Sequence, residues 1–320
     1  GAGNAGQAMA AHLTMLGHNV VLYNRTREKL EGIKRSGITL TNAIDGKVEV
    51  KIAHNIKDAV EDADFIMVTT SAPGHSFVAR DMKPYIKKGQ VILIFPGYWG
   101  TLEFYNVFSE EIENGDLIVG ETDTMIYTCR IYEPGVVNVK SIKKNVSLAC
   151  IGENSTLDVI SLLKPIYPQL LPAENVLQTS LNNFNPILHT PITIFNAARV
   201  DFGDDFLFYP QGASRHVVKY IKRVDEERLQ IGNTLGVKMT SLLELLNKFY
   251  GRQDKNLYDA IHLNKAYQQE KGPTSLDYRY LTEEIPFGLA PIAKLGNRLN
   301  ITTPYIDSLI NMASLLLDRE

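Results

Sequence analysis

The sequence predicts an α/β doubly wound domain over residues 1–178 followed by an all-α domain over residues 179–320. Two patterns carry this. In the first part, short β-branched apolar runs alternate with segments of helical spacing, the order of a mainly parallel sheet wrapped by helices. Past Ser180 the chain becomes a succession of capped amphipathic helices. The 320 residues, 44% hydrophobic and 22% charged, are enough for two substantial cores.

The opening stretch organises the first domain. Gly1, Gly3 and Gly6 have the spacing of a dinucleotide-binding turn. They are followed by a helical run Gln7–Leu16, a stop at Gly17, and the strand Val20–Tyr23. In a Rossmann-type unit the first glycine allows the tight turn, the second admits a pyrophosphate and the third lets helix and sheet approach. The N–H groups of the helix start, at Asn4 and Ala5, add a phosphate site. The strand that precedes such a turn is the central one, so the sequence is read as lacking part of its natural N-terminus. After the second strand comes Asn24-Arg25-Thr26, with no acid before Glu28. A cation with two small polar groups suits the 2′-phosphate of NADP(H) better than the ribose diol of NAD(H), which is kept as the alternative. Ser71 and Pro73, at the end of a later strand, complete the candidate cofactor set.

The other elements follow in order. Arg27–Ser36 reads as a short helix closing at Gly37. Ile38–Ala53, with Asp45-Gly46 as its turn, reads as a hairpin at the sheet margin. Asp64–Thr70, Gln90–Phe95 and Asp116–Gly120 read as buried strands, with helices over His75–Ile86 and Gly100–Glu111. Ile126–Ile151 suggests antiparallel strands around Glu133-Pro134-Gly135. Ser155 with Asp158 suggests a capping box, and Glu174–Ser180 the junction. Helices are expected over Ser214–Leu235, from Ser241 with Glu244 to Gly251, and from Thr303-Pro304 onward.

Bulk properties exclude several classes. A net charge of −3 without a basic cluster argues against nucleic acid. Two cysteines give no disulfide framework, and no spacing resembles a metal site. Val91–Phe95 is the longest apolar run, far short of the ~20 residues that span a bilayer. No signal peptide is visible, so the cytoplasm is the expected compartment.

A substrate in such an arrangement belongs at the entrance of the second domain, Leu181–Pro191. Asn185-Pro186 reads as a helix start, which puts His189 about one turn inside. The dipole there disfavours a charged ring, so a proton-donating histidine needs an acidic partner. From these residues alone a core histidine is the better-supported account. His75, behind Ser71–Gly74, follows a strand end and is equally a candidate for a place near the nicotinamide and for a polar helix-start residue, while Cys129 reads as a small core residue.

The segment Asn182–Pro191, the glycine turn, and Tyr278-Arg279-Tyr280-Leu281-Thr282-Glu283-Glu284-Ile285-Pro286-Phe287-Gly288 together resemble the opine dehydrogenase family. Pro96-Gly97, Gly100–Phe104, Glu121–Arg130 and Phe208–Arg228 extend the likeness over nearly the whole chain. The resemblance implies an NAD(P)-dependent enzyme that condenses an amine with a 2-oxo acid, commonly pyruvate, and reduces the imine. It implies His189 as the catalytic histidine, Glu284 as its acidic partner, and Arg279 as holder of a substrate carboxylate, with Asn185 and Tyr98 beside the substrate. Three departures stand out: Glu284 replaces the usual Asp, Tyr98-Trp99 occupies a loop where some members carry Gln, and Gln211 stands where an acid is common. The rivals are a ketopantoate or 3-hydroxy acid type reductase, which relies on a lysine absent from Asn182–Val200, and a non-catalytic NADP sensor. The apolar helices of the second domain suit a monomer or a homodimer.

Overall fold

The computed structural model describes residues 1–152 and 155–319. The chain divides into two compact units, Gly1–Thr179 and Ser180–Glu320. The dividing point lies inside the helix Val176–Leu181.

The first unit is a Rossmann-type domain whose strands fall into three sheets. Five strands run in the spatial order Leu170–Pro172, Val146–Ile151, Leu117–Thr122, Gln90–Ile94 and Phe65–Val68. The last three pair in parallel, and Val146–Ile151 runs antiparallel to Leu117–Thr122. Every residue of Gln90–Ile94 is buried, because helices cover both faces of the sheet and a strand so placed must be apolar throughout. Its side chains alternate between two cores. Val91, Leu93 and Phe95 join Met9, Leu13 and Leu148, while Ile92 and Ile94 join Phe104 and Phe108. The polar exception, Gln90, donates from Nε2 to the carbonyls of Val60 and Ala63 at 2.6 and 2.7 Å, which satisfies its amide.

The stretch Ile38–Ala53 corrects the expectation of one marginal hairpin. Ile38–Asn42 and Gly46–Val48 do pair antiparallel. However, Ile38–Asn42 also pairs in parallel with Val136–Ile142, which forms a separate four-stranded sheet with Tyr127–Glu133. Lys51–Ile52 leaves that sheet and pairs in parallel with Val21–Leu22. Alternating polarity fixed one wet face for these strands but could not say which neighbour each would take.

Ser155 is the first residue of helix Ser155–Leu163. Its hydroxyl donates back to the carbonyls of Ile151 and Gly152, at 3.1 and 2.8 Å.

The second unit is helical, its described residues adding one isolated bridge between Leu207 and Lys271. The long helix Arg215–Thr234 is capped by Ser214, and Ser241 with Glu244 forms a complete capping box that opens Leu242–Tyr250. The last helix, Pro304–Leu317, gets no side-chain cap from Thr303. Its first N–H groups, at Tyr305 and Ile306, donate instead to the two carboxylate oxygens of Glu227, both at 2.9 Å. A buried arginine anchors the start of this unit. Arg228, wholly inaccessible, pairs with Asp225 and donates to Leu181 O at 2.8 Å and Asn182 Oδ1 at 3.1 Å.

Candidate functional site

The glycine turn sits at the start of helix Asn4–Met15. A Cβ on Gly6 would run into the Gly1 carbonyl oxygen, so only glycine lets this helix lie so close to the preceding chain. Around Gly3, by contrast, a Cβ would meet nothing within 4 Å. No side chain caps the helix, so its first-turn N–H groups remain oriented toward an anion. This cradle fits the pyrophosphate of a dinucleotide. Asn4 contributes backbone there; its side-chain oxygen accepts from Ile131 N at 2.8 Å. Ala5 lies in the first turn.

Asn24 fixes the turn itself, with Oδ1 accepting from Ala2 N and Nδ2 donating to Thr26 O, both at 2.9 Å. The Arg25 guanidinium lies 5.2 Å from the Phe77 ring centroid. Ser71 precedes, and Pro73 lies within, the 3-10 turn Ala72–Gly74. Tyr98 is buried, with φ of 48°.

Three stretches that carry the family likeness come together in this unit around Glu121. Its carboxylate accepts from Thr101 N at 3.1 Å and from the Thr179 hydroxyl at 2.8 Å. A Cβ on Gly97 would collide with it. His75 is almost wholly buried, with Nε2 3.3 Å from Thr70 O. Burial pushes its pKa down to about 4, against the opposing pull of the Thr70 carbonyl.

The second unit builds its own constellation. Helix Asn185–Phe195 starts at Asn185-Pro186 as expected; Phe184 is the N-cap, and Asn183 Oδ1 accepts from Asn185 N at 3.2 Å. One turn on, His189 points Nδ1 at Glu284 Oε1, 3.0 Å away. A carboxylate can only accept, so Nδ1 carries the proton and the ring's tautomer is fixed. The Glu284 side chain is inaccessible to solvent. Arg279, opening the short helix Arg279–Thr282, brings Nη2 within 3.5 Å of the same Glu284 oxygen and donates from Nε to Glu283 at 2.8 Å. Its side chain is 43% exposed.

Two neighbours of His189 were not among the sequence candidates. The Tyr209 hydroxyl lies 3.0 Å from Nε2. The Tyr280 ring lies against the imidazole, 4.4 Å between centroids and tilted by 32°. In the sequence Tyr280 is simply part of the arginine segment, and Tyr209 stands near the departure at Gln211. The side chain of Gln211 serves the backbone, its Oε1 accepting from Leu207 N at 2.7 Å. Among the described residues no group of acids, histidines or cysteines could hold a metal, and no helix is long and apolar enough to cross a membrane.

Comparison with known proteins follows the same division. Residues 172–317 match the family model described as NAD/NADP octopine/nopaline dehydrogenase, alpha-helical domain. Residues 1–102 match the model for ketopantoate reductase PanE/ApbA. An opine dehydrogenase of Arthrobacter sp. is 33% identical, over 100% of this chain and 90% of its own. Vitopine synthase of Allorhizobium ampelinum is 22% identical over 85% and 75%. A solved octopine dehydrogenase with NADH and agmatine superposes with a TM-score of 0.80, at 20% identity, over 100% of this chain and 89% of that one. Yersinopine dehydrogenase with NADP+ bound gives 0.77 at 18%, over 99% and 90%.

Proposed function

Because the chain belongs to the opine dehydrogenase family, we propose that it joins the amine of an amino acid to a 2-oxo acid such as pyruvate and reduces the resulting imine, acting on a CH–NH bond. The observation that carries the reading is the buried His189–Glu284 pair, with Arg279 beside it, in the helical unit that matches the family. Glu284 holds the ring and stabilises its protonated form. His189 delivers the proton that the carbonyl oxygen needs as water leaves, and takes it back in the reverse direction. Arg279, accessible and forked, binds a substrate carboxylate. Asn185 and Tyr98 are assigned to substrate contact on the family likeness.

A bound nicotinamide cofactor supplies the hydride. We assign NADP(H) as the preferred form, because Asn24-Arg25-Thr26 provides a cation and no acid where the adenosine ribose is held. Exchange of Arg25→Asp is expected to lower kcat/KM for NADPH about tenfold or more while sparing NADH, since the cation is replaced by the acid that favours a free ribose diol. Unchanged cofactor preference would remove the assignment. A cytoplasmic setting belongs to the same reading and is consistent with two free cysteines.

The decisive assay mixes the protein with NADPH, pyruvate and pooled amino acids and follows absorbance. Oxidation that needs both amine and oxo acid is the expected result. Oxidation with the oxo acid alone would favour the ketopantoate type of reductase, which the match over residues 1–102 keeps in view.

A further inference from the structure

Both nitrogens of the His189 ring are engaged, Nδ1 by Glu284 and Nε2 by the Tyr209 hydroxyl, each at 3.0 Å. The nitrogen that a substrate would have to reach is therefore covered by a phenol. A phenol in that place either swings aside or conducts the proton itself.

The packing opposes swinging. The Tyr209 ring is stacked on Tyr267 with centroids 3.9 Å apart and planes within 14°. Tyr267 is in turn held edge-on by Tyr250 at 5.4 Å and 75°. The helix that carries Tyr209, Phe208–Gly212, is pinned at its start by Phe208 N donating to Glu270 O at 2.7 Å.

Resting on the reaction assigned above, we propose that Tyr209 is a further catalytic residue, the outermost member of a proton chain Glu284–His189–Tyr209 whose hydroxyl meets the substrate oxygen. In the dehydration step the amine and the oxo acid have already combined as a carbinolamine. Its nitrogen lone pair forms the C=N bond as the C–O bond breaks. The departing oxygen takes the Tyr209 hydroxyl proton and leaves as water. Protonated His189 passes its Nε2 proton to the phenol oxygen, so the ring ends neutral with Nδ1–H on Glu284. Nothing is oxidised or reduced in this step, and hydration of the imine runs the same chain backwards.

Tyr209→Phe removes the oxygen and keeps the stacked ring. The expected result is a fall in kcat of about 10²-fold, the lower end for a positioned acid, with KM for NADPH unchanged. Combining it with His189→Gln should add no further loss, because the two groups serve one chain. Wild-type kcat in the folded variant, a gain in kcat, or losses that multiply in the double variant would overturn the proposal. Should Tyr209→Phe not fold, 3-fluorotyrosine at position 209 replaces it: an altered kcat supports the relay and an unaltered one overturns it. The wild-type assay tests the assigned reaction separately. If no pair of amine and oxo acid is turned over, that reaction falls, and the chain is judged in the free protein by the His189 ¹⁵N shifts. Removal of the Tyr209 oxygen should then move the Nε2 resonance, and an unmoved one rejects the relay.

Discussion

Each unit of this protein buries one histidine, and the two are treated in opposite ways. His75, 1% exposed, has the Thr70 carbonyl as its described hydrogen-bond partner and the edge of Phe104 beside it, 6.5 Å between centroids. His189, 7% exposed, has a carboxylate on one nitrogen and a phenol on the other. Burial alone disarms an imidazole, because the charged form has nowhere to put its charge. A buried carboxylate supplies that place and makes the ring useful as an acid. On the proposed function, the difference between the two histidines thus lies in what touches each ring, and not in how deep it sits.

The largest expected effect is at His189. His189→Ala should lower turnover by roughly 10²–10⁴-fold while NADPH affinity, read by fluorescence titration, stays near wild type. His75→Gln should leave turnover largely intact; equal losses at the two positions would erase the contrast. Next comes the partner. Glu284→Gln keeps the size of the side chain and removes its charge, and steady-state kinetics should show kcat falling roughly 10–100-fold. A Gln variant as active as wild type would show that charge is not what distinguishes the two rings.

The third effect is on stability. The His75 pKa lies near 4 when folded against 6.5 when exposed, so the unfolded chain binds the extra proton first. The stability held by its neutral form is complete above pH 6.5 and is lost as pH falls through 4. The loss is on the order of 3 kcal/mol. Urea denaturation at a series of pH values should show this decline in wild type, and His75→Gln should flatten it. The smallest effect is at Gln211, which receives the Leu207 N–H at the start of the Tyr209 helix. Gln211→Ala should cost about 1 kcal/mol, seen as a modest drop in melting temperature.

What could be read from the sequence divides along physical lines. Gln90–Phe95 is apolar at nearly every position because both its faces are covered, and that pattern needs no knowledge of its neighbours. The Ser241–Glu244 box is equally local. Pairings between distant strands are not: Ile38–Asn42 announces a face to bury but not that Val136–Ile142 will lie alongside. His189 and Glu284 were reached through a family likeness, since spacing alone cannot bring two residues so far apart in sequence to 3.0 Å. Tyr209 escaped because a tyrosine beside a phenylalanine in an apolar stretch looks like any core aromatic. Thr303-Pro304 does open the last helix, as its local chemistry indicates, but the side chain that serves the first N–H groups comes from another residue, which no local pattern reveals.

That other residue, Glu227, ties the chain's final helix to a distant part of the fold. Here the opening turn of the last helix is riveted through two backbone amides to a single carboxylate on the longest helix. Burial raises the pKa of this carboxylate, so the folded chain takes up its proton before the unfolded chain does, and mild acid acting on this group does not undo the join.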